Sequence, residues 1–177
     1  RSLMPALHLP AQSGSDRILQ LMNRRYTSAH YRQLVSKLRD ACPDIALSTD
    51  IIVGFPGETE KDFMDTARLV DEIGYHQVFS FIYSKREGTP AASMEDNTPH
   101  EVIQKRFDCL VDIVQAHAFE KNQLDLGATI PVLVEGSSKR DELLIAGKSP
   151  KNQTVHAPVP AGKTPEQLAG SIVNVRI

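Results

Sequence analysis

The 177 residues include no tryptophan and only two cysteines, Cys42 and Cys109. The two lie far apart and neither belongs to a C-x-x-C or other metal-spaced group, which excludes a thiolate-held metal site built from this sequence. Both are expected as buried small apolar residues, Cys42 at a helix end and Cys109 on a helix face. No apolar run is long enough to cross a bilayer, which excludes a spanning helix. After Gly127 there is no Phe, Tyr or Trp, so base stacking on aromatic rings has no support there. Low-complexity tracts and fixed-period repeats are also lacking.

Charge is present but divided. Residues 1–127 hold 14 Lys+Arg against 18 Asp+Glu, and residues 128–177 hold 6 against 4. The mildly basic tail is weak support for nucleic acid by itself. The length suits one domain plus a smaller one. The first residue is Arg1, and no signal peptide is visible. The chain is read as a fragment of something longer, from a cytoplasmic enzyme.

What the first 127 residues do contain is an alternation of strand and helix signals. Leu7 to Ala11 (LHLPA) is a short strand ended by QSGSD, where Ser13 or Ser15 caps a helix through Leu19 and Met22. Tyr31, Leu34, Val35, Leu38 and Cys42 follow helical spacing until Pro43. Ile45 to Phe55 is a second strand. It runs into TDIIVGFPGET, where Gly54, Pro56 and Gly57 make a turn and Thr59 opens a helix striped by Phe63, Ala67, Leu69, Val70 and Ile73 up to Gly74. Val78 to Tyr83 is a third strand, and Thr98-Pro99-His100-Glu101 starts a helix carrying Ile103, Phe107, Leu110, Val111, Val114 and Ala118 on one face. This order predicts an α/β fold with a parallel sheet. Three such units are too few to close a barrel, which again points to a missing N-terminal part.

From Ala128 the pattern changes to short β pieces, TIPVLVEG, ELLIAGKS, QTVHAPVP and SIVNVRI. They predict a small β-barrel or sandwich, with Gly136, Gly147 and Gly170 at turns or bulges. Residues 1–127 and 128–177 are therefore expected as two domains. The strand-to-turn segment 49–59 is the natural ligand site, because glycines let the main chain approach a ligand and sites gather at the carboxyl ends of strands.

HLPAQSGSDRILQLMNRRYT, TDIIVGFPGET and FIYSKREGTPAASMED together resemble the second half of a radical S-adenosylmethionine (SAM) methylthiotransferase, the tRNA type that modifies isopentenyl-adenosine. VLVEGSSK resembles the start of that family's TRAM domain. The resemblance implies the C-terminal part of a partial (βα)6 TIM-like radical SAM barrel over residues 1–127. It implies a small all-β, OB-like, RNA-binding barrel over residues 128–177. It also implies methylthio transfer to C2 of N6-isopentenyladenosine beside the tRNA anticodon. Enzymes acting on threonylcarbamoyl-adenosine or a ribosomal protein, and a non-catalytic RNA-binding protein, stay open as alternatives.

Carried over residue by residue, the resemblance assigns SAM contacts to Gln12 and Ser13 at the end of the first strand. Arg24 would hold the carboxylate, Ile52 and Gly54 the adenine, and Asp50 and Tyr83 the lumen side. Phe81 shares a face of the third strand with Tyr83, and Glu58 reads as a first-turn helix charge. In the tail, Lys139, Arg140, Lys148, Lys151 and Lys163 are candidates for RNA phosphates, with Asn152 and His156 at bases or turns. The family's cysteine triad for a [4Fe-4S] cluster is absent, as are its auxiliary-cluster cysteines. The resemblance thus places clusters, an electron donor and catalysis in a full-length, monomeric, non-membrane enzyme, and no catalytic or metal residue in this chain.

Overall fold

A computed structural model describes residues 4–139 and 141–177; of the assigned residues, Arg140 lies outside them. The chain divides into two compact units, Leu7–Lys121 and, for the most part, Asn122–Ile177.

The first unit is built on a three-stranded sheet of order β1-β2-β3, with β1 at Ala6–His8, β2 at Ala46–Val53 and β3 at Gln77–Ile82. β2 and β3 run parallel, with Asp50 opposite Phe79 and Ile52 opposite Phe81. A parallel bridge from Gln12 to Ile51 extends the β1 edge. The connections are helical: α1 (Asp16–Leu21), α2 (Ser28–Ala41) and α3 (Glu60–Ile73), followed after β3 by α4 (His100–Leu124). Each start has a chemical cause. Ser15 caps α1, Thr27 caps α2, and Thr59 with Asp62 forms a reciprocal capping box on α3. Gly74 closes α3 at φ 55°, a left-handed position that glycine takes without a Cβ penalty.

One side of the sheet packs on the helices. Leu47, Ile51 and Val53 meet Phe63, Ala67, Leu69, Val70 and Ile73 of α3, Tyr31 and Val35 of α2, and Leu110 of α4 in a single core. Every member of the expected α3 stripe is buried. Two expectations are corrected. Leu34 is exposed, because α2 turns Tyr31, Val35 and the half-buried Leu38 toward the core. Cys109 is exposed on α4 and Cys42 only half-buried at the end of α2, so neither serves as a core residue.

The second unit is an antiparallel sheet of order β6-β5-β4-β7, formed by β4 (Thr129–Ser137), β5 (Leu144–Lys148), β6 (Thr154–Pro158) and β7 (Ile172–Arg176). All four expected β pieces are strands. Val134, Ile145 and Ala157 form its core, with Val159, Leu168, Val173 and Val175 against them. The short helix α5 (Pro165–Leu168) carries Leu168 to that core. Gly136, at φ 147°, sits where the β4–β5 register shifts, and a Cβ on Gly147 would come 2.4 Å from the Leu133 carbonyl oxygen. Glycine is thus required at a bulge and at a close strand contact.

Candidate functional site

The QSGSD segment is fastened to α3 by a chain of polar contacts. The Ser13 hydroxyl lies 3.1 Å from that of Thr66, and the Gly14 N–H donates to Thr66 Oγ1 at 2.9 Å. The Ser15 hydroxyl donates to Asp62 at 2.6 Å, and Arg17 pairs with the same carboxylate. Burial opposes the charge of Asp62, yet donors from Arg17, Ser15 and Thr59 hold its carboxyl well below the usual carboxylate range. Ser13 therefore spends its hydroxyl on the scaffold. A polar groove of about 500 Å³ on this helix side is lined by Arg17, Arg32, Asp62, Asp65 and Arg68 among others. Most of its charges are paired, Arg17 with Asp62, Arg68 with Asp65 and Arg32 with Glu72.

The carboxyl ends of the strands are different. Gln12 takes a left-handed φ of 65°, is 7% exposed, and its side-chain amide makes no hydrogen bond among the described residues. Its main chain is engaged, the N–H on Asp50 O and the carbonyl on Ile52 N–H. Just past β3, the buried Tyr83 hydroxyl also has no partner among the described residues. Its ring stands edge-on to Phe55 at 5.1 Å. Leaving a buried polar atom unpaired costs about 1–3 kcal/mol, so the Tyr83 hydroxyl, with the unengaged Gln12 amide at the end of the first strand, marks a place that a polar ligand would complete. These groups fit an adenosyl ligand, with an amide that can both donate and accept and a phenol that can donate.

The turn after β2 is held from beneath. Gly54 has φ 72°, and a Cβ there would lie 2.6 Å from Ile103 Cγ2, so the space glycine leaves is taken by α4. Its N–H donates to Glu58 at 3.0 Å. Glu58 is buried beside the equally buried Arg106, whose Nη1 donates to both the Glu58 carboxylate (3.2 Å) and its main-chain carbonyl (3.1 Å). Burial pushes the Glu58 carboxyl up, against the pull of Gly54 N–H and Arg106. The expected role of Glu58 as a first-turn helix charge is thereby corrected: it precedes the cap Thr59 and locks the turn to α4. Arg106, which also pairs with Glu60 and lies over the Phe63 ring at 6.0 Å, was missed. The signal for it is a lone Arg inside the apolar stripe between Ile103 and Leu110.

On the side of the sheet away from the core, Asp50 and Ile52 lie half-buried and Phe79 and Phe81 exposed. Asp50 and Ile52 thus share the face expected of them, and Phe81 stands opposite Ile52. Arg24 is exposed just after α1, its guanidinium without hydrogen bond or ion pair among the described residues. In the second unit Lys139 is exposed, Lys148 donates to Thr154 Oγ1 at 2.9 Å, and Lys151 pairs with Asp125 at 3.4 Å. Lys163 and His156 are exposed, and Asn152 sits in a turn at φ 62°.

The residues present do not fit an iron–sulfur cluster. The sequence has two cysteines, on α4 and at the end of α2, and among the described residues no three His, Cys, Asp or Glu side chains are grouped to hold a metal. No helix among them is long and apolar enough to cross a membrane.

Residues 2–70 match the model of the radical SAM superfamily. The chain is 48% identical over 171 residues to the tRNA-2-methylthio-N(6)-dimethylallyladenosine synthase of Acetivibrio thermocellus, covering 97% of this chain and 35% of that protein. The synthase of the same name from Geobacillus kaustophilus is 47% identical over 176 residues, 99% of this chain and 32% of its own length. That of Clostridium perfringens is 45% identical over 175 residues, 99% and 38%. An α/β unit with a parallel sheet is consistent with a radical SAM protein, and the superfamily match falls on that unit. Over nearly its whole length the chain is similar to these tRNA methylthio synthases, and it spans about a third of the length of the relatives it matches.

Proposed function

We propose that this chain is the C-terminal part of an enzyme that adds a methylthio group to C2 of N6-isopentenyladenosine next to the tRNA anticodon. The observation that carries the reading is the 45–48% identity, over nearly the whole chain, to synthases named for this product. In the parent enzyme, SAM supplies the adenosyl and methyl groups, and the iron–sulfur clusters, reduced by an electron donor, are held by residues outside this chain. Leu7–Lys121 then serves as the second half of a partial (βα)6 barrel. Gln12, Gly54 and Tyr83 would meet SAM at the strand ends, Ile52 and Asp50 would face it from the lumen side, and Arg24 would take its carboxylate through a guanidinium fork. Ser13 acts through Thr66, as an anchor of the strand end.

Residues 128–177 would form an OB-like TRAM barrel holding tRNA through Lys139, Arg140, Lys148 and Lys151, in a cytoplasmic, monomeric parent. Phosphate contacts of this kind weaken as salt rises. The test is direct. Full-length protein with SAM, reductant and an isopentenyl-modified tRNA should yield methylthio-adenosine by mass spectrometry. Product only from threonylcarbamoyl-adenosine tRNA, or only from a ribosomal protein, would move the chain to another branch of the family.

A further inference from the structure

The groove on the helix side, formed where α1, α2 and α3 begin, holds more hydrogen-bond donors than it uses. Two of its three aspartates are spent on the scaffold. Asp62 accepts from Ser15, Thr59 and Arg17, and Asp16 accepts the Ser28 N–H at 2.6 Å. The third, Asp65, meets only Arg68, at 3.3 Å, in a pair whose side chains are 33% and 61% exposed. The cations are less committed. Arg32 gives its Nε to Glu72 at 2.7 Å, Arg68 gives one Nη to Asp65, and Lys61 is exposed with no partner among the described residues. A guanidinium carries five N–H donors, an ammonium carries three, and neither accepts. Most of the donors on these three side chains are therefore unspent.

That surplus selects the ligand. None of the lining residues has an apolar side chain, so the groove has nothing with which to hold a hydrophobic group. What it can hold is an anion whose oxygens only accept, and phosphate suits the planar fork of arginine and the point charge of lysine. The three cations are spread over α2 and α3 and stay in contact with solvent. A run of phosphates along a polymer matches that layout better than one enclosed ion. The position fits as well. In a parallel unit a helix begins where its strand ends, so α1 and α3 set the groove at the same end of the sheet as the carboxyl ends of the strands.

We propose that Lys61, Arg68 and Arg32 form a site for the phosphodiester backbone of RNA. Arg17 and Asp62 build its floor and belong to the scaffold. The inference rests on the function proposed above, and adds to the lysines of residues 128–177 a second RNA contact, on the α/β unit.

The test uses the full-length parent. Binding of an isopentenyl-modified anticodon stem-loop is followed by fluorescence anisotropy over a salt series, SAM binding by equilibrium dialysis, and methylthio product by mass spectrometry. K61A and R68A should each lower the slope of log affinity against log salt by about 1, and the two together should weaken RNA binding about tenfold. K61R keeps the charge and should keep the wild-type slope. K37A, an exposed lysine of α2 outside the groove, should leave the slope unchanged, and SAM affinity should stay at the wild-type value throughout. Slopes that K61A and R68A leave unchanged, in a protein whose wild type forms product, would overturn the site and leave the parent function standing. A loss shared equally by K61A and K61R, or a matching loss of SAM affinity, would also overturn it, since the groove would then serve the scaffold. Wild-type protein that forms no product from the modified tRNA would overturn the parent function itself.

Discussion

The two sides of β2 follow different rules. Toward the helices, Leu47, Thr49, Ile51 and Val53 are 0–1% exposed, and even the one polar member is used, Thr49 accepting the Ala11 N–H at 2.8 Å. On the other side Ser48, Asp50 and Ile52 stay half-buried beside exposed Phe79 and Phe81. Toward the helices, the side chains of β2 itself are satisfied and fill the core. Among the described residues, groups without a partner lie on the opposite side and at the strand ends: Asp50 Oδ1, the Gln12 amide, the Tyr83 hydroxyl and, in the turn after β2, Glu58 Oε1. A chain that closes one side of a sheet and leaves polar groups unpaired along the rest has divided scaffold from site.

Substitutions should respect that division. The largest effect is expected from Leu69→Ala, which empties a fully buried core position and should cost about 2–5 kcal/mol by denaturant titration of the full-length protein. Phe81→Ala on the other side should cost about 1 kcal/mol or less. Equal losses from the two would erase the distinction between the sides.

Next comes Asp62→Asn, which leaves Ser15, Arg17 and Thr59 short of a charged acceptor and should cost about 2–3 kcal/mol at neutral pH. Because the folded carboxyl titrates below its unfolded value, its contribution is full above the unfolded pKa of about 4 and is lost as pH falls toward the folded one. The gap in thermal midpoint between wild type and Asp62→Asn should therefore narrow below about pH 4. The smallest effect belongs to the exposed Lys139. Its change to Ala should leave stability within about 0.5 kcal/mol and reduce the salt slope of tRNA binding by about 1.

Much of the scaffold was legible because its signals are local. The α3 stripe, the Thr59 cap, the Gly74 stop and the four strands of the second unit follow from period, capping and turn chemistry over a few residues. What escaped reading depends on distant partners. Glu58 looks like a helix-start charge until Arg106, on another helix, is placed against it. Cys109 and Leu34 have apolar character and helical spacing, yet fall on faces that nothing in the core meets. Of the residues proposed for the site, Asp50, Ile52, Gly54 and Gln12 lie at or near the strand ends, and Ser13 turns to Thr66 instead. His8 went unremarked because a lone histidine in a short strand carries no spacing signal; its contacts with Ser48 and Asp50 appear only in the fold.

The central claim is that the strand ends bind a ligand and are not part of the self-sufficient scaffold, and Tyr83→Phe tests it most directly. The change removes a buried hydroxyl that has no partner among the described residues. The full-length Tyr83→Phe protein should therefore unfold at the same temperature as wild type or a few degrees higher, a gain of about 1 kcal/mol, while binding SAM several-fold more weakly in equilibrium dialysis. A lower unfolding temperature with unchanged SAM affinity would contradict it.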